Sequence, residues 1–211
     1  MKIIYRGAES IIYSWNFEGR EAIVKERVPK SYRVKQLDDK LRKERTRKEV
    51  KLLIEARKIG IPTPAILNSD EKNTKITMEK IDGIMVKEFL FSAGEDSIKK
   101  VFSNIGKSVG KLHQSNIIHG DLTTSNMILK GDIIYFIDFS LGGFSARIED
   151  KGTDLRLFSE ILNSTHFRVA DLCWHAFIKG YREENQSADL ILEKLKDIKK
   201  RVRYAKDSRL K

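Results

Sequence analysis

The segment His119-Gly-Asp-Leu-Thr-Thr-Ser-Asn126 carries a carboxylate and a carboxamide five residues apart, and Phe136-Ile-Asp138-Phe-Ser140 adds a second carboxylate. Between them, Met127–Lys130 and Ile133–Ile137 read as two strands around the turn Gly131-Asp132, a hairpin that returns Asp138 to the neighbourhood of Asp121 and Asn126. Three oxygen ligands or proton acceptors then converge at the mouth of a small sheet. Such donors suit a hard cation such as magnesium, which keeps waters and takes one or two carboxylates together with phosphate oxygens. Each piece alone is a polar turn. The information lies in the whole string held in register.

The flanking sequence supplies the frame. Ile3–Arg6 and Ile11–Phe17 read as strands joined at Gly7-Ala-Glu-Ser10, and Glu18-Gly-Arg20 leads into a third strand, Glu21–Lys25. Taken alone, the first of these turns, with its single glycine, is an ordinary hairpin turn. Ser31 to Ile59 is free of Gly and Pro; Leu37, Leu41, Val50, Leu53 and Ile54 recur at helical spacing, and Gly60, Pro62 and Pro64 end the run. Helix periodicity turns Glu49 inward beside Val50 and Leu53 and leaves Glu55 nearer the polar face. Ala65–Asn68 and Lys75–Met78 read as two more strands, Glu79–Gly83 as a polar link, and Met85–Phe91 as a short helix or turn. Ser97 to Ser115 is amphipathic, with Ile98, Val101, Phe102, Ile105, Val109 and Leu112 on one face. Beyond Asp138, Ser140–Gly143 and Ala146–Asp150 read as a short loop, and helices follow over Asp154–Leu162, Arg168–Tyr181 and Ala188–Arg203. His113 reads as structural and His119 as a brace for its loop through hydrogen bonding. Asp154 reads either as a brace for that loop's backbone or as a first-turn acid favoured by the helix dipole.

A length of 211 residues fits one domain, or two small lobes folded together, and 40% hydrophobic residues supply an ordinary core. No apolar run reaches the roughly 18 residues needed to cross a bilayer, and the opening lacks the pattern of a signal peptide. The chain therefore reads as cytosolic, with no membrane partner. Cys173 is alone, which excludes a disulfide framework or a cysteine metal site within one chain; in Leu172-Cys-Trp174 it reads as a core thiol. A net charge of +11, from 41 basic and 30 acidic residues, favours a polyanionic partner, either nucleic acid or an acidic protein face. The excess concentrates between Lys30 and Lys48 and in the run from Lys196 to Lys211. In that run Lys199, Lys200, Arg201, Arg203, Lys206 and Arg209, with Tyr204 interleaved, form either a solvated helix end or a face for nucleic-acid phosphates.

The acid–amide–acid string resembles the protein-kinase pattern of His-x-Asp, an Asn five residues on, and Asp-Phe. By that likeness Asp121 accepts the nucleophile's proton, while Asn126 and Asp138 hold magnesium. Lys25, behind Ile23 and Val24 on an apolar strand, is similar to the kinase strand lysine that reaches the α- and β-phosphates. A kinase then needs a helix glutamate to hold that lysine, and Glu49 is the choice. The same likeness folds Gly7, Ala8, Glu9 and Ser10 over the nucleotide and lets the Glu79–Gly83 backbone bond adenine. Ile12, Ile23, Lys25, Met78, Glu79, Ile81, Ile128 and Ile137 complete its ATP pocket.

More closely, the chain resembles the small atypical serine/threonine kinases of the KEOPS (EKC) complex, the p53-related protein kinase group. The resembling residues run nearly end to end: Gly7–Ser10, Lys25, Pro29–Arg33, Leu37–Arg42, Arg45–Glu49, Gly60–Pro64, Met78-Glu79, Ile118–Asn126, Ile137–Ser140 and the basic tail. The Thr-Thr-Ser of the catalytic loop and the basic insert before Glu49 are its specific parts. This resemblance implies an α+β, minimal bilobal protein-kinase-like fold. A small antiparallel sheet with one long helix would form the N-lobe over residues 1–80, and a mostly helical C-lobe with the basic tail would occupy 81–211. It implies ATP and Mg2+ as cofactors. As partners it implies the tRNA threonylcarbamoyltransferase subunit, the other KEOPS subunits and tRNA, the tail helping to hold the RNA. The expected activity is that of a kinase in isolation and an ATPase within the complex that makes N6-threonylcarbamoyladenosine.

Departures from ordinary protein kinases carry physical weight. Gly120 replaces the arginine that would hold a phosphorylated activation loop, and no Ala-Pro-Glu segment follows Asp138, so a partner surface is the better candidate for control. Thr123 stands where Ser/Thr kinases carry a lysine that neutralises the transferring phosphate, so water becomes a plausible acceptor. Ser140, where Gly is usual, tolerates fewer backbone angles. Two other readings compete: a small-molecule phosphotransferase of aminoglycoside type, which needs a larger and more acidic C-terminal half, and a non-catalytic scaffold, which predicts loss of Lys25, Asp121, Asn126 or Asp138. The RIO-type kinases form a further neighbour, set apart by an expected N-terminal extension.

Overall fold

β-branched and aromatic residues crowd the opening of the chain, and they fold as an antiparallel meander. The computed structural model describes residues 2–207, with side chains through Val202. Strands β1 (Lys2–Arg6), β2 (Ser10–Phe17) and β3 (Arg20–Arg27) are followed by the long helix α1 (Lys35–Lys58), then β4 (Ile66–Asp70) and β5 (Lys75–Glu79). The five strands form one antiparallel sheet in the order β1-β2-β3-β5-β4. The link after β5 leads through β6 (Ile84–Met85) and α2 (Val86–Phe89) into α3 (Glu95–Gln114) and β7 (Ile117–Ile118). A 3-10 turn at Thr124–Asn126 opens the hairpin β8 (Met127–Lys130) and β9 (Ile133–Phe136); β10 (Gly143–Phe144), α4 (Ile148–Thr165), α5 (Ala170–Glu184) and α6 (Ala188–Asp207) follow. The result is an antiparallel-sheet N-lobe on a mostly helical C-lobe, the α+β arrangement expected. Among the described residues no helix is long and apolar enough to cross a membrane.

The C-lobe core is aromatic. Phe102, Phe158, Phe177 and Tyr181 are fully buried, with Phe158 and Phe177 ring centroids 4.9 Å apart. Helices α3 and α5 approach until their backbones touch: a Cβ on Gly106 would collide with the Phe177 carbonyl, and one on Gly180 with the Ser103 carbonyl. Cys173 is buried in this core, and burial pushes its thiol up to about 12. The lobes are tied where Phe136 N donates to Pro62 O at 2.9 Å, just past the end of α1.

The starts of two helices differ from the sequence expectation. Helix α1 starts at Lys35 rather than Ser31, because Arg33 N donates to Lys30 O in a turn and Val34 is extended. Its inner face holds Asp38, Thr46, Glu49, Leu52, Leu53 and Ala56, while Leu37 and Ile54 are exposed. The inward face is polar at its upper end because it meets charged groups of the sheet. Helix α4 starts at Ile148, inside the expected loop, with Glu149 and Asp150 in its first turn, where acids are favoured. Gly152 does not break it, being packed against Ile198 of α6.

Gly106→Ala will separate α3 from α5 and lower stability by about 2 kcal/mol or more, the range for overpacking a close core contact. Urea denaturation of the two proteins measures the difference.

Candidate active site

Residues two apart on a strand share a face, so Ile23, Lys25 and Arg27 of β3 all point the same way. Antiparallel pairing sets Ile12 and Ile76 opposite Lys25, and Met78 opposite Ile23. The face that holds Lys25 therefore also holds Ile12, Ile23 and Met78, three of the residues expected to line the nucleotide. Helix α1 crosses this face, its upper end fixed by Arg42, which bonds Asp38 at 2.7 Å and Thr74 Oγ1 at 3.0 Å. Thr74 in turn donates to Arg27 O at 3.1 Å. That chain of bonds sets the register in which Glu49 meets β3.

Glu49 is 1% exposed. Its Oε1 accepts from Lys25 Nζ at 2.7 Å and its Oε2 from Arg27 Nη2 at 2.5 Å. Glu55, the alternative partner, instead pairs with Lys58 at 2.9 Å. Lys25 Nζ also lies 2.7 Å from Asp138 Oδ1. At the centre, Ser140 Oγ accepts from Lys25 Nζ at 2.9 Å and Arg27 Nη2 at 3.0 Å, and bonds both Glu49 Oε2 and Asp138 Oδ1. Burial alone would raise the Asp138 carboxyl; the Lys25 charge and hydrogen bonds from Lys25 and Ser140 outweigh it and hold it at about 2. Asp138 adopts φ +62°, a left-handed conformation that Asp enters more readily than most residues.

The catalytic loop is held from below. Asp154 is buried; Oδ2 accepts from His119 N and Oδ1 from Gly120 N, both at 2.9 Å, and His113 Nε2 lies 3.1 Å from Oδ2. Burial would raise its carboxyl, but these bonds and the nearby histidines hold it below the ordinary value. Of the two roles open to Asp154 in the sequence, the structure shows the brace; the residue sits in the second turn of α4, not the first. His113 Nδ1 reaches Tyr181 OH at 2.9 Å, joining α3, α4 and α5 to the loop. His119 braces the loop as expected, its Nδ1 accepting from Asp121 N at 3.4 Å, while its ring packs 4.5 Å from the Phe139 ring centroid and burial lowers its pKa. Asn126 Nδ2 donates at 2.9 Å to both Asp121 O and Asp121 Oδ2, fixing the carboxylate. Ile137 N donates to Asn126 O at 2.9 Å, which draws the segment leading to Asp138 against Asn126. Thr124 Oγ1 meets His166 Nε2 at 2.9 Å, a contact to the end of α4 that no sequence pattern indicated.

A family model for the RIO domain matches residues 14–141. The KEOPS complex subunit Bud32 of Pyrococcus abyssi is 41% identical over 217 residues, covering 99% of this chain and 98% of that protein. The chain belongs to the RIO-domain family, in its Bud32 group. The RIO-type kinases, set apart above as a separate reading, thus share its domain. A probable bifunctional tRNA threonylcarbamoyladenosine biosynthesis protein of Methanosphaera stadtmanae is 43% identical over 199 residues, which are 94% of this chain and 36% of that longer protein. Two solved structures share the fold. The Rio2 kinase-ADP/Mg2+-phosphoaspartate complex from Chaetomium thermophilum aligns with a TM-score of 0.66 at 15% identity, over 99% of this chain and 72% of that one. The amicoumacin kinase hAmiN, in complex with AMP-PNP, Ca2+ and Ami, aligns with a TM-score of 0.62 at 14% identity, over 86% and 72%.

The remaining expected residues of this Bud32 relative are placed as follows. The Gly7–Ser10 turn is tight, Gly7 N donating to Ser10 O at 2.9 Å. Arg45 pins it through Glu9 Oε2 at 2.7 Å, and Lys30 Nζ donates to Ala8 O. Glu79 is turned back toward β4, its Oε2 accepting from Ala65 N at 3.1 Å, while Ile81 is buried and Ile128 and Ile137 are half-buried. In the tail, Lys199 donates to Ser159 Oγ at 2.8 Å and lies over the Trp174 ring, and Arg201 pairs with Glu149 at 2.5 Å. Lys200 is exposed; the side chains of Arg203 and Lys206, and all of Arg209, lie outside what the structure describes. Cavities of about 510 and 490 Å³ lie on the α5–α6 face around Trp174, Ile178 and Arg182; they include none of the expected catalytic or nucleotide-binding residues, and Lys199 of the tail lines the second. Arg27 and the central role of Ser140 were not anticipated. The two-residue spacing from Lys25 puts Arg27 on the same strand face but does not show that a helix covers it.

The Asp138 carboxyl is held below its unfolded value of about 3.9, so the ion pair with Lys25 stabilises the fold fully above about pH 4. The stability gap between wild type and Asp138→Asn is therefore constant from neutral pH to about 5 and narrows as the pH falls toward about 2. Urea titrations across that range read it directly.

Proposed function

We propose that this chain, with residues 1–80 and 81–211 as its lobes, is an ATP- and magnesium-dependent atypical serine/threonine kinase that acts mainly as an ATPase in the KEOPS complex. In that setting it supports N6-threonylcarbamoyladenosine formation in tRNA, in the cytoplasm. The observation that carries the chemistry is Lys25 Nζ, 2.7 Å from both Glu49 and Asp138, above a catalytic loop in which Asn126 fixes Asp121. The complex and its product are carried by the relatives' identities.

The donor set fits magnesium. Among the described residues no cluster of three His, Cys, Asp or Glu side chains offers a closed metal cage. One ionised carboxylate at Asp138 and one carboxamide at Asn126 suit a cation that completes its shell with water and phosphate oxygens. When bound, the ion neutralises charge on the phosphates. Lys25 contributes a second positive charge from the sheet side, and Glu49 keeps its ammonium from swinging away. Asp121, immobilised by Asn126, takes the proton of the attacking hydroxyl or water as the new O–P bond forms and the bond from the γ-phosphorus to the bridging oxygen breaks, with ADP as the leaving group. The tight Gly7–Ser10 turn offers backbone amides to the phosphates, and Ile23, Met78 and Ile81 offer the apolar walls for adenine. In the partner role, tRNA contact falls to Lys200 and to the residues from Arg203 onward, since Lys199 and Arg201 already have partners within the fold.

The test follows ATP labelled at the γ-phosphate, with magnesium, into protein and into free phosphate, alone and with the threonylcarbamoyltransferase subunit and tRNA. Wild type labels protein when alone and releases phosphate in the complex; Asp121→Ala loses about a hundredfold or more of both. No turnover under any condition, with ATP still bound, overturns the reading in favour of a scaffold. Deleting residues 203–211 should weaken tRNA binding by the assembled complex and flatten its salt dependence; an unchanged salt slope removes the tail from the RNA site.

A further inference from the structure

Three protein partners surround the Lys25 ammonium: it donates to Glu49 Oε1 at 2.7 Å and to Ser140 Oγ at 2.9 Å, and it forms an ion pair with Asp138 Oδ1 at 2.7 Å. Reaching a phosphate oxygen therefore costs Lys25 at least one of them. Were Lys25 the sole cation on Glu49, engaging nucleotide would loosen the helix that positions it, and an otherwise unpaired buried carboxylate would pull the ammonium back. Arg27 removes that conflict. It is 3% exposed, on the same strand face as Lys25, and its Nη2 carries two N–H groups, one directed to Glu49 Oε2 at 2.5 Å and one to Ser140 Oγ at 3.0 Å. One nitrogen thus ties β3 to α1 and to the loop that bears Asp138. Nη1 lies 3.9 Å from Glu9 Oε2 on the turn expected over the phosphates, and Nε is buried with no hydrogen-bond partner among the described residues.

We infer that Arg27 is a positioning residue for nucleotide binding: it holds Glu49 and Ser140 in place so that Lys25 is released to the phosphates while Asp138 stays aligned for the metal. This inference rests on the nucleotide-binding reading above. Charge balance supports it, since Lys25 and Arg27 together match Glu49 and Asp138. Removing Arg27 leaves Lys25 alone between two carboxylates, bound more tightly to the protein and less available to a ligand.

The experiment uses the full chain and titrates Mg·ADP by calorimetry, at a temperature where circular dichroism shows each variant folded. The set is wild type, Arg27→Met, Arg27→Lys, Ser140→Ala and the Arg27→Met/Ser140→Ala double variant. Arg27→Met is expected to weaken Mg·ADP about tenfold, the scale of one charge-assisted hydrogen bond, and Arg27→Lys to recover most of it. The double variant is expected to lose less affinity than the product of the two single losses, because the Arg27–Ser140 contact is broken in both single variants. A folded Arg27→Met with wild-type affinity, or losses that simply multiply in the double variant, overturns the inference. Should Arg27→Met not fold, Arg27→Gln is titrated in its place: unchanged affinity counts against the inference, and a loss of about tenfold supports it. Wild type that binds Mg·ADP but turns over no ATP sinks the phosphoryl-transfer reading alone, and the affinity comparison still decides the role of Arg27.

Discussion

A carboxylate shut away from water between two cations is the constraint on which the rest depends. Glu49 comes from α1, Lys25 and Arg27 from β3, and Ser140 and Asp138 from the loop beyond β9. Each charge would be costly to bury alone, and the cost falls only when all are present with their hydrogen bonds satisfied. The cluster thus acts as an assembly condition. The sheet, the helix and the loop must arrive together, and an error in any one leaves an unpaired buried charge. This favours a unique arrangement of the lobes over a merely compact one.

The lower half of the site is fixed by different means. Asp154 takes two backbone amides of the catalytic loop and lies beside His113, which is joined to Tyr181, so three helices of the C-lobe bear on two peptide groups. Because α3 and α5 meet backbone to backbone through Gly106 and Gly180, that support has little slack. Asp121 inherits this rigidity through the loop, and Asn126 adds the last restraint. The upper half is held by charge and the lower half by packing and hydrogen bonds, with Lys25–Asp138 as a join between them.

Much of this was written in the sequence. Alternating and 3.6-residue patterns located the strands and the α3 helix, where every predicted core residue is buried. The spacing of Asp121 and Asn126 marked a pair that the fold joins by a hydrogen bond, and periodicity picked Glu49 over Glu55 as the partner of Lys25. What escaped has a common physical cause. Arg27 two residues past a charged strand residue looks like a solvated edge, since nothing local shows that a helix will cover it. The same cover makes α1 bury Asp38, Thr46 and Glu49 and expose Leu37 and Ile54, the reverse of what hydrophobicity alone suggests. The two-residue strands β6, β7 and β10 are too short to carry any pattern. Ser140 looked like a lost glycine; in the fold it is a gained hydroxyl at the centre of four charged groups.

The crossing of the catalytic loop by the segment after Asp138 has an evolutionary consequence. Gly120 sits at φ +80° with the Leu141 carbonyl where a Cβ would stand, and a Cβ on Gly142 would press on the Ile118 and His119 carbonyls. The strand pair Ile117–Ile118 with Gly143–Phe144 then stitches the two segments down. An arginine at position 120 cannot be installed by one substitution, because the chain it would have to displace is the one that presents Asp138. The step toward control by a phosphorylated loop therefore needs several simultaneous changes, each damaging by itself. Descendants of this sequence are far more readily altered on the outer surface than remade into a kinase that regulates itself.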